Sequence, residues 1–205
     1  MEEKRQLEEA NRAAACERLS PEGRKHFDLI EFDANEKLVT EIRKDPVGLF
    51  FIILTGTFIG TVLLIVMAVV AGSDLNSLFE TSNANGAKAI LTFVFFLLII
   101  LTGIGTFIGA WLYKSNVIYV TSEKIAQVVY TSLFHRKISQ LSIGDVQDVT
   151  VSQNGILAHI FKYGTLVVET SGEQQNYNFS FVPEPYPVSK DIVGAHEENL
   201  KLYGN

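Results

Sequence analysis

The sequence predicts a membrane protein in two parts. The first is a two-helix transmembrane hairpin; the second is a small mainly-β domain of antiparallel strands capped by a C-terminal helix. Two charge-free apolar runs, Val47–Ala71 and Ala89–Leu112, predict the hairpin. A change of sequence period after Asn116, from unbroken apolar residues to short β-branched and aromatic stretches between turn residues, predicts the domain.

Each run exceeds the roughly 18–20 apolar residues needed to cross a ~30 Å hydrocarbon layer. At about 1.5 Å per residue, a helix over the first run reaches ~37 Å, enough to span with some tilt. Neither run contains Asp, Glu, Lys, Arg or His. The expected division is a charged, partly helical region over 1–46, helices over 47–71 and 89–113, a short loop over 72–88, and the β domain over 114–205. Lys37, Arg43 and Lys44 precede the first helix and Lys114 and Lys124 follow the second, whereas the loop holds only Lys88. This bias places both termini in the cytoplasm and the loop outside a cell membrane crossed twice. The first run starts too deep for a signal peptide and is expected to persist. Glu2 and the C-terminal Leu202-Tyr203-Gly204-Asn205 carry no lipidation signal.

Residues 1–46 carry 9 Lys/Arg against 12 Asp/Glu, too polar to form a core alone. Good helix formers over 2–19 predict a solvated helix whose apolar stripe (Leu7, Ala10, Ala14, Leu19) is thin. Ser20-Pro21-Glu22-Gly23 ends it, and Phe27–Glu31 and Lys37–Ile42 read as short half-buried segments. Pro46 suits the first position of the first membrane helix.

Both apolar runs carry the pentapeptide Gly-Thr-Phe-Ile-Gly, as Gly56–Gly60 and Gly105–Gly109. Glycines four apart lie on one helix face, so Gly56, Gly60, Gly105 and Gly109 are candidates for close helix–helix packing, within the hairpin or between chains.

Past the second run, strands are expected over Asn116–Thr121, Ile125–Thr131, Arg136–Ile143, Val146–Val151 and Leu166–Thr170, with Gly155–Lys162 either a helical turn or a strand. Tyr177, Phe179 and Phe181 alternate with polar residues and predict a further strand. Beyond Pro183–Pro187 the period becomes helical, with Val188, Ile192, Val193, His196, Leu200 and Tyr203 on one face and Gly204 as the stop.

This order resembles the bacterial pleckstrin-homology-like domain found in small membrane-anchored proteins, where it follows a transmembrane hairpin. The residues that carry the resemblance are Asn116-Val117-Ile118-Tyr119, Leu133–Ile138, Leu141–Val151 with its Val146-Gln147-Asp148-Val149-Thr150-Val151 core, Tyr163-Gly164-Thr165-Leu166 and Glu169-Thr170-Ser171-Gly172. Asn35–Val39 and Ile42-Arg43-Lys44 are similar to the family's lead-in to its first helix. The family usually has glycine near Ser132 and alanine near Ser171, which puts two turn geometries in doubt. The resemblance implies seven strands in two near-orthogonal sheets, plugged by the C-terminal helix. It implies little about activity, because fold alone does not fix function.

Residue chemistry points away from an enzyme. His26, His135, His159 and His196 share no ligand spacing, Ser132 near His135 lacks an orienting acid, and Asp145 and Asp148 flank a turn. No catalytic, cofactor or metal site is expected. The net charge of −6 argues against nucleic acid as a partner. Cys16, the single cysteine, cannot form a disulfide within the chain. The remaining candidate is a basic set, His135-Arg136-Lys137 with Arg43, Lys44 and Lys114, placed to meet lipid headgroups at ~1 kcal/mol per cation. The expected function is a non-catalytic interaction or assembly module, self-associating or binding other membrane proteins. Two alternatives are an anionic-lipid sensor and a small oligomeric pore or transporter accessory subunit.

Overall fold

The computed structural model describes residues 2–33, 35–73, 84–170 and 177–204. They form two compact units, one of Met1–Gly48 with Leu112–Asn205 and one of Leu49–Trp111.

The first unit contains seven strands in two antiparallel sheets. β1 (Leu38–Arg43), β2 (Val117–Thr121), β3 (Lys124–Ser132) and β4 (His135–Ser142) form one sheet in that order. β5 (Val146–Ser152), β6 (Tyr163–Thr170) and β7 (Tyr177–Pro183) form the other. Ile118, Val120 and Ile125 from the first sheet meet Leu166, Val168 and Phe179 from the second in one core. The C-terminal helix α6 (Pro185–Tyr203) closes this core with Ile192 and Ala195. Of its expected face, Val188 and Ile192 pack inward, whereas Val193, Leu200 and Tyr203 are exposed.

β2 is buried along its whole length because both of its faces are covered. Ile118 and Val120 face the core between the sheets. Val117 and Tyr119 face a second cluster made with Ala15, Leu19, Phe27, Ile30 and Phe32 from the N-terminal segment. That segment holds helices α1 (Glu2–Arg18) and α2 (Pro21–Phe27). Ser20 caps α2: its hydroxyl accepts the Gly23 N–H at 3.0 Å and donates to Glu41 at 2.6 Å. A Cβ at Gly23 would sit 2.6 Å from a Glu41 carboxylate oxygen, so a side chain there would displace the end of Glu41. Tyr119 donates its hydroxyl to the Gly23 carbonyl at 2.5 Å, and burial pushes its pKa up, keeping that proton in place.

Two sequence expectations are corrected here. Residues 1–46 are not a region apart from 114–205: β1 pairs with β2, Arg43 opposite Val117 and Ile42 opposite Ile118, and the N-terminal helices cover the same sheet. Strand pairing across a long insertion leaves no local trace, so periodicity could not reveal it. The packed residues here are Ala15 of α1 and Leu19 just past its end, while Leu7, Ala10 and Ala14 are exposed.

The second unit comes from α3 (Pro46–Gly72) and α4 (Ala84–Lys114), both long and apolar enough to cross a membrane. None of the most apolar stretch of either helix is buried, and Phe58, Val69, Phe93, Leu101 and Phe107 all stand exposed. By length and composition both helices are candidate membrane spans. α4 starts earlier than expected, at Ala84; the rest of the expected loop, 74–83, and the expected turn at Ser171-Gly172 lie outside the described residues. Gly155–Lys162, left open by sequence, holds a short helix, α5 (Ile156–Phe161).

Candidate functional site

The first unit has a distinct end at which the chain departs after Arg43 and returns at Tyr113, and most candidate residues gather there. Asp45 organises it. Its N–H donates to the Phe181 carbonyl at 2.7 Å, its carboxylate accepts the Val47 N–H at 2.8 Å as a cap on α3, and its carbonyl accepts the Tyr113 hydroxyl at 2.7 Å. Phe181 lies in the left-handed region at φ 57°, beside an irregularity in the β6–β7 pairing. This bulge corrects the expectation that Tyr177, Phe179 and Phe181 share a face: Phe179 is buried, but Phe181 turns outward and Val182 takes the next core place. Outside, the Phe181 ring stacks on Tyr163 at 5.3 Å and meets Tyr113 edge-on at 6.1 Å.

A cleft of about 160 Å³ opens between the first sheet and β7, with Arg43, Lys44, Asn116, Gln127, Asn178 and Ser180 among its lining residues. Small-molecule pockets begin at about 300 Å³, so this volume suits a few waters or one small polar group. Its cations are already engaged. Arg43 pairs with Glu22 at 3.1 Å. Lys44 lies 5.2 Å from the Tyr113 ring centre, and burial lowers its pKa.

The other basic candidates are open to solvent. His135, Arg136 and Lys137 begin β4 and are exposed, as is Lys114 at the end of α4. Arg136 sits opposite Tyr130, whose ring is 5.3 Å from that of His26. Burial lowers the His26 pKa, and the charges of Arg136 and Lys25 lower it further. The six basic candidates therefore divide into an engaged pair, Arg43 and Lys44, and an exposed set on the β3–β4 turn and at the end of α4. The other histidines are tied to backbone: His159 to the Gly155 carbonyl at 3.1 Å and His196 to that of Ile143 at 2.7 Å. Since a carbonyl only accepts, Nδ1 carries the proton in both.

Of the four candidate glycines, Gly56 packs closely, because a Cβ there would run into the Thr106 hydroxyl. Gly109 lies 3.6 Å (from its would-be Cβ) from Ile52, while Gly60 and Gly105 face open space. Contacts of 56 with 106 and 52 with 109 describe an antiparallel pair. The hydroxyls of Thr61, Thr102 and Thr106 each donate to a carbonyl one turn back on their own helix.

Sequence reasoning missed one polar cluster. Asp33, Glu36 and Glu123 bring carboxylate oxygens within 4.8 Å of one another, and Glu36 is fully buried. Glu36 accepts from the Asp33 N–H at 2.8 Å and the Thr121 hydroxyl at 2.5 Å. The Lys124 ammonium lies 3.2 Å from both Asp33 and Glu36 and fills the place of a cation. Burial would push Lys124 down, but the Glu36 and Asp33 carboxylates outweigh it and its pKa is raised. Burial, then the charges of Glu36 and Asp33, raises that of Glu123. The only sequence signal for the cluster was the pair of turn-like stretches around Asn35 and Ser122, neither of which marks a buried acid.

No curated protein matches the chain. A solved structure described as a DUF1696 family protein with a pleckstrin-homology domain, from Shewanella loihica PV-4, is similar at 14% identity, with a TM-score of 0.32, over 40% of this chain and 70% of that one. The bacterial PH domain family matches residues 47–189, a stretch that takes in both apolar helices and the strands from β2 to β7. The chain belongs to the bacterial PH domain family.

Proposed function

We propose that this protein is a membrane-anchored, non-catalytic PH-domain module that spans the cell membrane twice, keeps both termini in the cytoplasm, and assembles there with membrane proteins or a second copy of itself. The observation that carries this reading is the pairing of β1 with β2. One sheet is built from segments on either side of α3 and α4, and it can form only if both segments lie on the same side of the bilayer. Two crossings meet that condition; one does not. The excess of Lys and Arg beside the outer ends of the helices favours the cytoplasmic side. The non-catalytic part of the reading is supported by the polar clusters among the described residues, whose hydrogen bonds tie backbone and buried charge together. The pore alternative loses support because the hydroxyls of Thr61, Thr102 and Thr106 bond within their own helices.

Site-directed labelling tests the topology. In a Cys16→Ser background, a cysteine at Ser73 is expected to react with an impermeant maleimide on intact cells, and one at Leu202 only after permeabilisation. The reverse pattern, or equal reaction at both, overturns it. Photo-crosslinking from Gln140, on the open edge strand β4, tests assembly in native membranes. A chain–chain or single reproducible membrane-protein adduct is expected, and lipid adducts alone overturn the assembly role.

A further inference from the structure

We infer that the outer face of α6 is a self-association surface, on which the same helix of a second copy of this chain lies antiparallel across a two-fold axis at Val193. The inference rests on the assembly reading above and deepens it, by naming the partner and the face.

The two sides of α6 differ in what covers them. Val188, Ile192 and Ala195 turn inward and close the core. On the side turned away, Tyr186, Val193 and Leu200 recur every seven residues and are 56, 41 and 46% exposed. Seven residues make nearly two helical turns, so the three stand in one line about 21 Å long. Apolar residues in line at that spacing are the pattern of a helix–helix seam. Gly194 lies beside Val193 on the same outer side, in a helix interior where glycine is costly relative to alanine. A Cβ there would meet nothing within 4 Å, so no contact inside the chain excludes a side chain. The missing side chain instead leaves room for a second helix to come close.

Charge selects both the occupant and its direction. Lys190 and Glu197 flank Val193 on this face, one turn before it and one turn after, and both are exposed. Neither is in an ion pair among the described residues. A parallel pair of identical helices would set lysine against lysine and glutamate against glutamate. In an antiparallel pair centred on Val193, Lys190 meets the partner's Glu197, Tyr186 meets the partner's Leu200, and Val193 meets its own equivalent. A two-fold interface needs a patch that is complementary to itself in this way. An unrelated protein would have to bring matching charges, whereas a second copy supplies them by symmetry. The face is short beside a standard protein interface, which suits copies already concentrated in one membrane.

The test uses the full chain in its native membranes, in a Cys16→Ser background, with one cysteine at Tyr186, Val193 or Leu200 and copper-catalysed oxidation. Val193→Cys is expected to form a disulfide-linked dimer by itself. Tyr186→Cys and Leu200→Cys are expected to stay monomeric singly, because antiparallel copies hold each about 21 Å from its equivalent, and to join when the two are co-expressed. Dimers at all three positions singly would mean a parallel pair and overturn the inference. So would no dimer at Val193→Cys, or an adduct of that cysteine with a different protein. Charge reversal gives a second readout on exposed side chains. Lys190→Glu and Glu197→Lys are each expected to slow Val193→Cys dimer formation about tenfold, and the double variant to restore it. Equal rates in all of these chains overturn the inference. An amine-reactive crosslinker on the same membranes separates the two readings. Chain–chain adducts without the Val193→Cys dimer leave self-assembly standing and refute the α6 face; no adduct by either route removes self-assembly as well.

Discussion

Replacing Lys124 with methionine isolates the balance inside the cluster that ties the N-terminal segment to the β2–β3 turn. Glu36 is wholly buried and holds two neutral donors, the Asp33 N–H and the Thr121 hydroxyl, plus the Lys124 ammonium at 3.2 Å. The Lys124 side chain is itself only 14% exposed. Removing one partner of a buried pair costs about 3–5 kcal/mol, because the remaining charge is left uncompensated. Since two hydrogen bonds to Glu36 survive, the expected loss for Lys124→Met is at the low end, about 3 kcal/mol, or roughly a hundredfold in the unfolding equilibrium. Glu36→Gln/Lys124→Met should recover most of that loss, because a neutral pair of similar volume needs no compensation. Urea titration in detergent, read by protease resistance of the β unit, measures both. A loss below about 1 kcal/mol for Lys124→Met would show that Glu36 does not depend on the ammonium, and the reasoning would fail. The pH dependence has a definite sign. Because the folded state raises the Lys124 pKa, its contribution is complete at neutral pH and is lost only as pH rises past the ordinary value of 10.5.

Three further outcomes follow from the geometry. Arg136→Gln should raise the His26 pKa toward 6.5, read by imidazole NMR, because the Arg136 charge helps depress it; for the same reason the wild-type unit should lose stability as pH falls below 6.5, and Arg136→Gln should lose less. Gly56→Leu should separate α3 from α4, whereas Gly60→Leu and Gly105→Leu should not, since only Gly56 abuts Thr106; the readout is disulfide formation between cysteines at Ile52 and Gly109 in a Cys16→Ser background, with a cost near 1–2 kcal/mol at Gly56. Tyr113→Phe deletes the hydrogen bond to the Asp45 carbonyl and should cost about 1 kcal/mol in the same urea assay, with no change if water replaces the hydroxyl.

The two long apolar helices and most strands were legible because their signals are local. Twenty-five residues without a charge leave little choice of environment, and runs such as Val117-Ile118-Tyr119-Val120 pack well on a pleated surface. What escaped was non-local. Lys37–Ile42 was readable as a half-buried segment, but nothing in it names a partner strand some 70 residues away, so β1 was assigned to a separate region. Phe181 broke a clean alternation because a left-handed bulge inserts one residue, which pattern counting cannot detect. At the candidate site, the basic residues were all identifiable, but not that Glu22 and Tyr113 already occupy Arg43 and Lys44. Nor could Glu36 be told from its solvated neighbours, since burial of a carboxylate depends on a turn brought in from residues 121–124.

The placement of α3 and α4 between two neighbouring strands also dictates when this domain can be completed. β1 is synthesised first and then waits, at about 5–20 residues per second, some 4–15 s for β2 to be made. Throughout that interval the apolar faces of Leu38, Ile42 and Phe27 have no sheet to pack on. On the proposed two-crossing topology, a chain whose second helix failed to insert would strand β1 and β2 in different compartments and leave that surface exposed for good. On that topology, closure of the sheet acts as a built-in proofreading step: only a correctly inserted molecule buries its own core, and misinserted ones remain recognisable to chaperones and proteases.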